Sequence, residues 1–200
     1  MADIKYLKVF VDPGHGGWDP GATNGTLKEK DLTLVIGKHV RDRLKALGAT
    51  TQMSRETDIA LGTDKAADLK ARTTASNNFG ASIFVSVHIN SGGGTGLETW
   101  KHDNSSRYTG DLATAVQKRM VASLGLPDRK VKSAPSGRNG DNIYVIDPAN
   151  NKAWAVLAEV GFIDHATDKE KLQSSQFLKD AGYAIADGIN SFVNTLPPIE

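Results

Sequence analysis

The chain has 200 residues, 39% of them hydrophobic, enough for one domain with a sizeable core and no expectation of disorder. With 24 basic against 23 acidic side chains the formal net charge is +1, so no global field favours nucleic acid or an anionic membrane, and recognition must come from a local site. Cysteine is absent, which excludes disulfides, thiolate metal ligands, iron-sulfur clusters and a cysteine nucleophile; a transition metal must use His, Asp or Glu.

The N-terminus, Met-Ala-Asp-Ile-Lys-Tyr, lacks the charged start and apolar stretch of a secretory signal, and no run approaches the roughly 18 apolar residues of a membrane span. The expected product is made in the cytoplasm without a signal peptide and does not insert in a membrane. Leu7 to Val11 is a short apolar, β-branched run bounded by Asp12-Pro13-Gly14, which predicts a buried strand. From Asp31, an expected N-cap, the period changes. Leu32, Val35, Ile36, Val40, Leu44 and Leu47 recur three or four apart until Gly48, predicting a helix of about four to five turns. Thr50 to Ser54 reads as a strand, and Ala66 to Asn78 as a helix ending near Gly80.

Ser82 to Ile89 is expected to be the most buried strand. Gly96 to Lys101 predicts another strand, and Leu112 to Leu124 an amphipathic helix closed by Gly125-Leu126-Pro127. Residues 127–141 are polar and without an apolar period, which predicts a surface loop walling a site. Asn142 to Ile146 and Trp154 to Val160 read as two more strands, and Gln176 to Leu196 as a last helix stopped by Pro197-Pro198. Alternation of strands and helices argues for an α/β sheet covered on both faces, in which ligands gather beyond the carboxyl ends of the strands.

Four residues stand at the ends of predicted elements. His15 lies in the loop Asp12-Pro13-Gly14-His15-Gly16-Gly17, Glu29 before the first helix, His88 at the end of the apolar run Ile83 to Val87, and Glu159 inside Ala155 to Gly161. Two histidines and a carboxylate suit zinc in a hydrolase, where three protein ligands leave one position open, and a nearby carboxylate then serves as proton acceptor. Glu159 is the candidate base, because an acid among so many apolar neighbours needs a partner or a raised pKa. Each residue also has a plainer reading. A lone histidine after a strand is often structural, an acid at Glu29 is favoured by the helix N-terminus, and Glu159 could pair with a buried arginine. The glycine loop lacks both phosphate-binding spacings, and no serine stands in a Gly-x-Ser-x-Gly setting. His39 is expected to be solvated.

The motifs together resemble a known family. Val11-Asp12-Pro13-Gly14-His15-Gly16-Gly17 continues to Asp19-Pro20-Gly21-Ala22; Glu29-Lys30-Asp31-Leu32, Ser54-Arg55 with Asp58, and Arg72 with Asn77 follow. Then come Phe84-Val85-Ser86-Val87-His88-Ile89-Asn90, Gly96-Leu97-Glu98-Thr99 and Leu157-Ala158-Glu159-Val160-Gly161-Phe162-Ile163. In order and spacing this series, over residues 6–195, resembles the zinc-dependent N-acetylmuramoyl-L-alanine amidases of the amidase-3 type, enzymes of bacterial cell-wall turnover and phage lysis.

The resemblance implies a mixed, mainly parallel sheet of about six strands with helices on both faces. It implies Zn2+ as cofactor, with His15, Glu29 and His88 as metal ligands and Glu159 as the catalytic glutamate. The implied reaction is hydrolysis of the amide between N-acetylmuramic acid and the L-alanine of the peptidoglycan stem peptide, causing wall lysis. Residues 1–196 would form the catalytic domain and 197–200 a tail, a possible linker start toward a separate wall-binding domain outside this chain. The expected working form is a monomer that acts on peptidoglycan after release by phage or mother-cell lysis. Asn90 and Glu98 match family positions and are expected to orient the ligands. Trp154, Asp147-Pro148 and Asp164-His165 depart from the common pattern, on loops where peptide specificity would be set. The alternatives are a catalytically silent wall-binding module and a zinc carboxypeptidase acting on the same stem peptides.

Overall fold

A computed structural model describes residues 2–198, so residues 199 and 200 of the expected tail lie outside the described residues. In chain order the elements are β1 (Lys8–Pro13), a small hairpin of β2 (Thr23–Asn24) and β3 (Leu27–Lys28), α1 (Glu29–Ala46), β4 (Thr50–Met53), α2 (Lys65–Phe79), β5 (Ile83–Asn90) and β6 (Leu97–His102). They continue with α3 (Arg107–Leu124), β7 (Asp128–Ala134), β8 (Trp154–Phe162), α4 (Ala166–Leu172) and α5 (Ser175–Val193). Six strands form one sheet in the order β4-β1-β5-β8-β6-β7. The first four run parallel, β6 is antiparallel to β8, and β7 is parallel to β6, so the expected mixed, mainly parallel sheet is present.

Strand parity divides the core. Val9, Val11, Ile83, Val85, Val87, Val156 and Val160 point to the face covered by α1, α3 and α5, where the larger apolar cluster lies. Phe10, Phe84, Trp100, Ala155 and Leu157 point to the other face, under α2 and the segment Ile143–Ile146. Central strands sandwiched this way are apolar throughout rather than alternating, which is why β5 and β8 read as continuous hydrophobic runs.

Four expectations need correction. The first helix starts at Glu29, and Lys28 rather than Asp31 is its N-cap, without a side-chain bond. Its first-turn N–H groups are met instead by the preceding loop, Glu29 donating to the Ala22 carbonyl at 2.9 Å and Lys30 to the Pro20 carbonyl at 3.1 Å. Residues 127–141 are not all loop, because Asp128–Ala134 pairs with β6 as the sheet's edge strand. Conversely, Asn142 to Ile146 is not a strand. Tyr144–Ile146 form a 3-10 turn whose Val145 and Ile146 are buried on the second face of the sheet. His39 is half-buried and packs on Tyr183 of α5, with ring centroids 6.5 Å apart, rather than standing in solvent.

The α4 helix and the β2–β3 hairpin are additions to the predicted elements. Among the described residues no helix is long and apolar enough to cross a membrane.

A candidate metal centre and its amidase family

The same parity that builds the core builds the site. In the ladder His88 of β5 stands beside Glu159 of β8, and Glu159 beside Glu98 of β6. Strands lie about 4.8 Å apart, so these three side chains form one row on the α2 face, at the edge of its apolar covering. Chain reversal after β1 brings in His15, and the N-terminus of α1 brings in Glu29. The result is a cleft of about 450 Å³ whose lining includes His15, Glu29, His88, Glu159, Arg138 and Tyr144.

His15, Glu29 and His88 converge, each offering a ligand atom within 4.8 Å of the others. His15 Nε2 is 3.1 Å and His88 Nδ1 3.0 Å from the same oxygen, Glu29 Oε1, which also accepts a 3.0 Å bond from the Ile89 amide. Glu29 Oε2 accepts from the Ala22 amide at 2.8 Å, so the carboxylate is oriented from both ends. Burial opposes ionisation of Glu29, but hydrogen bonds and charge from His15 and His88 overcome it and hold the carboxyl well below its usual range. Burial likewise lowers the His15 pKa, and Glu29 and Asp19 together reverse that and raise it. Two imidazoles and an ionised carboxylate with one edge open are a zinc-type donor set, so the residues fit that ion.

One residue that holds this set escaped the sequence reading as a site residue. Asp19 Oδ2 lies 2.8 Å from His15 Nδ1, which fixes the ring so that Nε2 faces Glu29. The signal was present, four residues from His15 in the same loop, but short acids in glycine loops are common.

Two arginines do the rest. Arg72 donates to Asp68, to Asp12, and to the carbonyls of Pro13 and His15, while Arg55 donates to the carbonyls of Pro13, Gly14 and Lys30. Both side chains are buried. They hold His15 in a left-handed conformation, φ 62°, that a non-glycine residue adopts only when its surroundings enforce it. Gly14 is required by close approach. A Cβ there would lie 2.4 Å from the His88 ring.

Glu159 is largely buried, and its Oε2 is sealed from solvent and has no hydrogen-bond partner. Burial, reinforced by the charges of Glu29 and Glu98, raises its pKa well above the ordinary carboxyl value. A raised pKa makes the ionised carboxylate a stronger base toward water than an ordinary glutamate.

Asn90 and Glu98 do not orient the ligands. Asn90 Oδ1 accepts from the Ser91 amide at 2.8 Å, and its carbonyl from the Ile163 amide at 2.9 Å. Glu98 is spent on Arg129, on Lys132 at 2.8 Å and on the Trp100 indole at 3.1 Å. Neither His102 nor His165 lines the cleft; His102 is buried at the end of β6 and His165 sits 3.3 Å from Asp168 at the start of α4.

The family described as N-acetylmuramoyl-L-alanine amidase, of the Amidase_3 type, matches residues 9–191. The chain belongs to this family. Within it, the chain is 35% identical to the sporulation-specific N-acetylmuramoyl-L-alanine amidase of Bacillus subtilis over 190 residues, covering 94% of this chain and 69% of that protein. It is 34% identical to an endolysin of Bacillus phage SPP1, covering 93% of this chain and 66% of the endolysin. The crystal structure of an N-acetylmuramoyl-L-alanine amidase from Clostridium difficile 630 superposes with a TM-score of 0.83 at 28% identity, over 96% of this chain and 98% of the other. The six-stranded mixed sheet is therefore the amidase-family fold.

Proposed function

We propose that this amidase-family chain is a zinc-dependent peptidoglycan hydrolase that cleaves the amide between N-acetylmuramic acid and the L-alanine of the stem peptide. His15, Glu29 and His88 hold the metal, Glu159 is the catalytic residue, and residues 1–196 form the catalytic domain. The observation that carries the reading is the pairing of a convergent two-histidine, one-carboxylate set with a sealed, unpartnered carboxyl one strand away. Kinship to a sporulation amidase and to a phage endolysin supports a role in wall lysis.

His15, Glu29 and His88 would hold a zinc ion, which when bound would supply Lewis acidity toward the scissile carbonyl and toward water. Glu159 takes a proton from the attacking water as its oxygen bonds to the carbonyl carbon. It then delivers that proton to the departing L-alanine nitrogen as the C–N bond breaks. Asp19 keeps the His15 ring in the one orientation that leaves Nε2 available, and the Ala22 and Ile89 amides do the same for Glu29. Arg55 and Arg72 hold the loop that carries His15 so that no reorganisation is needed when substrate enters.

The test is digestion of purified peptidoglycan with and without a chelator, followed by mass analysis. The expected products are intact glycan and peptides with new amino groups on L-alanine, formed only without chelator. Released C-terminal amino acids would assign a carboxypeptidase instead, and no product in zinc would leave a wall-binding module. His15→Ala is expected to lose both bound zinc and hydrolysis. Asp19→Ala is expected to keep the fold but weaken zinc binding by about 10- to 100-fold, read by competition with a chromophoric chelator. Unchanged zinc affinity in Asp19→Ala would remove its assigned role.

A further inference from the structure

Three cations stand together at the β6–β7 side of the sheet, and one of them, Arg138, lines the cleft. Arg129 and Lys132 of β7 and Arg138 just beyond it surround Glu98 and Trp100 of β6. Glu98 is the acid at their centre, and its two oxygens are already taken by Arg129, Lys132 and the Trp100 indole. Arg138 is left over. It is exposed, its guanidinium lies over the Trp100 ring at 5.5 Å from the centroid, and among the described residues it has no side-chain hydrogen bond or acid partner. It nevertheless lines the cleft and is close enough for its charge to be felt at Glu159.

The segment presenting Arg138 is built rather than loose. Asp103 accepts 2.8 Å bonds from the Ser136 amide and hydroxyl, and the Pro135 carbonyl accepts from the amides of Arg138 and Gly140. Stacking on Trp100 limits the side chain's freedom further, which lowers the entropic cost of binding an anion there.

Sheet order says which half of the substrate meets this arginine. From the metal ligands the row runs His88 on β5, Glu159 on β8, then Glu98 on β6 with Arg138 above Trp100 of the same strand. Glu159 returns its proton to the departing amine, so the amine half, the peptide, lies on the Glu159 side of the metal and extends toward β6. One strand spacing is about 4.8 Å and an extended peptide advances about 3.3 to 3.6 Å per residue, so the next residue or two after the cleaved amide reach Arg138.

We infer that Arg138 is a specificity residue that binds a carboxylate of the stem peptide, on the second residue counted from the cleaved amide. This rests on the amidase reading above. A planar guanidinium without a competing acid is suited to a carboxylate, and the bond is charge-assisted.

Two muramoyl tripeptides test it, one with a free α-carboxylate on the second residue and one amidated there. The wild type is expected to favour the free acid by about tenfold or more in kcat/KM, with the difference in KM. Arg138→Ala brings the ratio to about one, and Arg138→Lys keeps part of it. Because the ratio is taken within each variant, any general influence of the Arg138 charge on Glu159 cancels. A wild-type ratio near one, or a ratio unchanged in Arg138→Ala, overturns the assignment while leaving the amidase reading intact. If neither compound is cleaved, that reading falls, and calorimetry with the free-acid tripeptide alone still decides the matter. Weaker binding to Arg138→Ala than to wild type supports the subsite, and equal or absent binding rejects it.

Discussion

Replacing Glu159 by glutamine removes most hydrolysis and leaves zinc binding in place. Glutamine has nearly the shape of the acid but cannot accept a proton, and removal of a general acid–base costs about 10²- to 10⁴-fold in rate. The metal set is untouched, because Glu29 is oriented by Ala22, Ile89, His15 and His88 and not by Glu159. The measurement is product formation per bound zinc, with metal content determined on the same sample. Near-wild-type turnover in Glu159→Gln, or loss of the metal, would overturn the role assigned to this residue.

The same substitution has a stability signature with the opposite sign. The folded-state pKa of Glu159 is raised above its unfolded value, so the native state prefers the protonated acid. Its contribution is most favourable below the ordinary glutamate value of 4.5 and is lost progressively as pH rises through the folded pKa. Metal-free Glu159→Gln is therefore expected to gain stability over the metal-free parent as pH rises above that value. Thermal melts across pH 4 to 8, a range of about four units spanning the carboxyl titration, read the difference. A variant less stable than the parent at neutral pH would mean that Oε2 has a partner after all.

Arg72→Ala is expected to be the most destabilising single change around the site. The side chain is 2% exposed and bridges Asp12 and Asp68, while also closing the carbonyls of Pro13 and His15. Asp12 is 1% exposed and further bound by the hydroxyls of Ser54 at 2.6 Å and Ser86 at 2.7 Å. Burial pushes the Asp12 carboxyl up, and Arg72 and the two hydroxyls pull it below its ordinary value. Deleting the arginine leaves a buried negative charge without its cation and the His15 carbonyl without its donor, a loss of about 3 to 5 kcal/mol. For a chain of this size that corresponds to a Tm lower by roughly 10 °C. Arg72→Lys is expected to recover little, since one ammonium cannot reproduce the forked set of bonds. Hydrolysis falls as well, because the His15 carbonyl is released. A Tm within about 2 °C of the parent would show that the network is not what holds the loop.

Much of the fold is legible from pattern. The helical stripe Leu32, Ile36, Val40 and Leu44 is buried as its spacing requires, and the apolar runs at Ile83 and Trp154 are central strands. The edge strand β7 is not legible, because an edge needs no continuous apolar face. Its sequence Asp-Arg-Lys-Val-Lys-Ser-Ala carries the charges that protect an exposed edge from pairing with other chains, and those charges look like a loop. The 142–146 segment misleads in the opposite direction. Its β-branched residues are buried by covering the sheet's second face, where a turn serves as well as a strand.

The candidate site divides along the same line. Strand ends, the glycine loop and the start of the first helix mark His15, Glu29, His88 and Glu159 one by one, since local period decides where an element stops. Their partners do not follow from local period. Asp19 against His15, the arginines around the loop, Glu98 taken by two cations and Arg138 left without one depend on which strand lies next to which. Hydrophobic spacing acts within a few residues along the chain. Hydrogen bonds and charges act over a few ångströms in space, between residues as far apart as Asp12, Arg72 and Ser86, and only closure of the sheet brings those together.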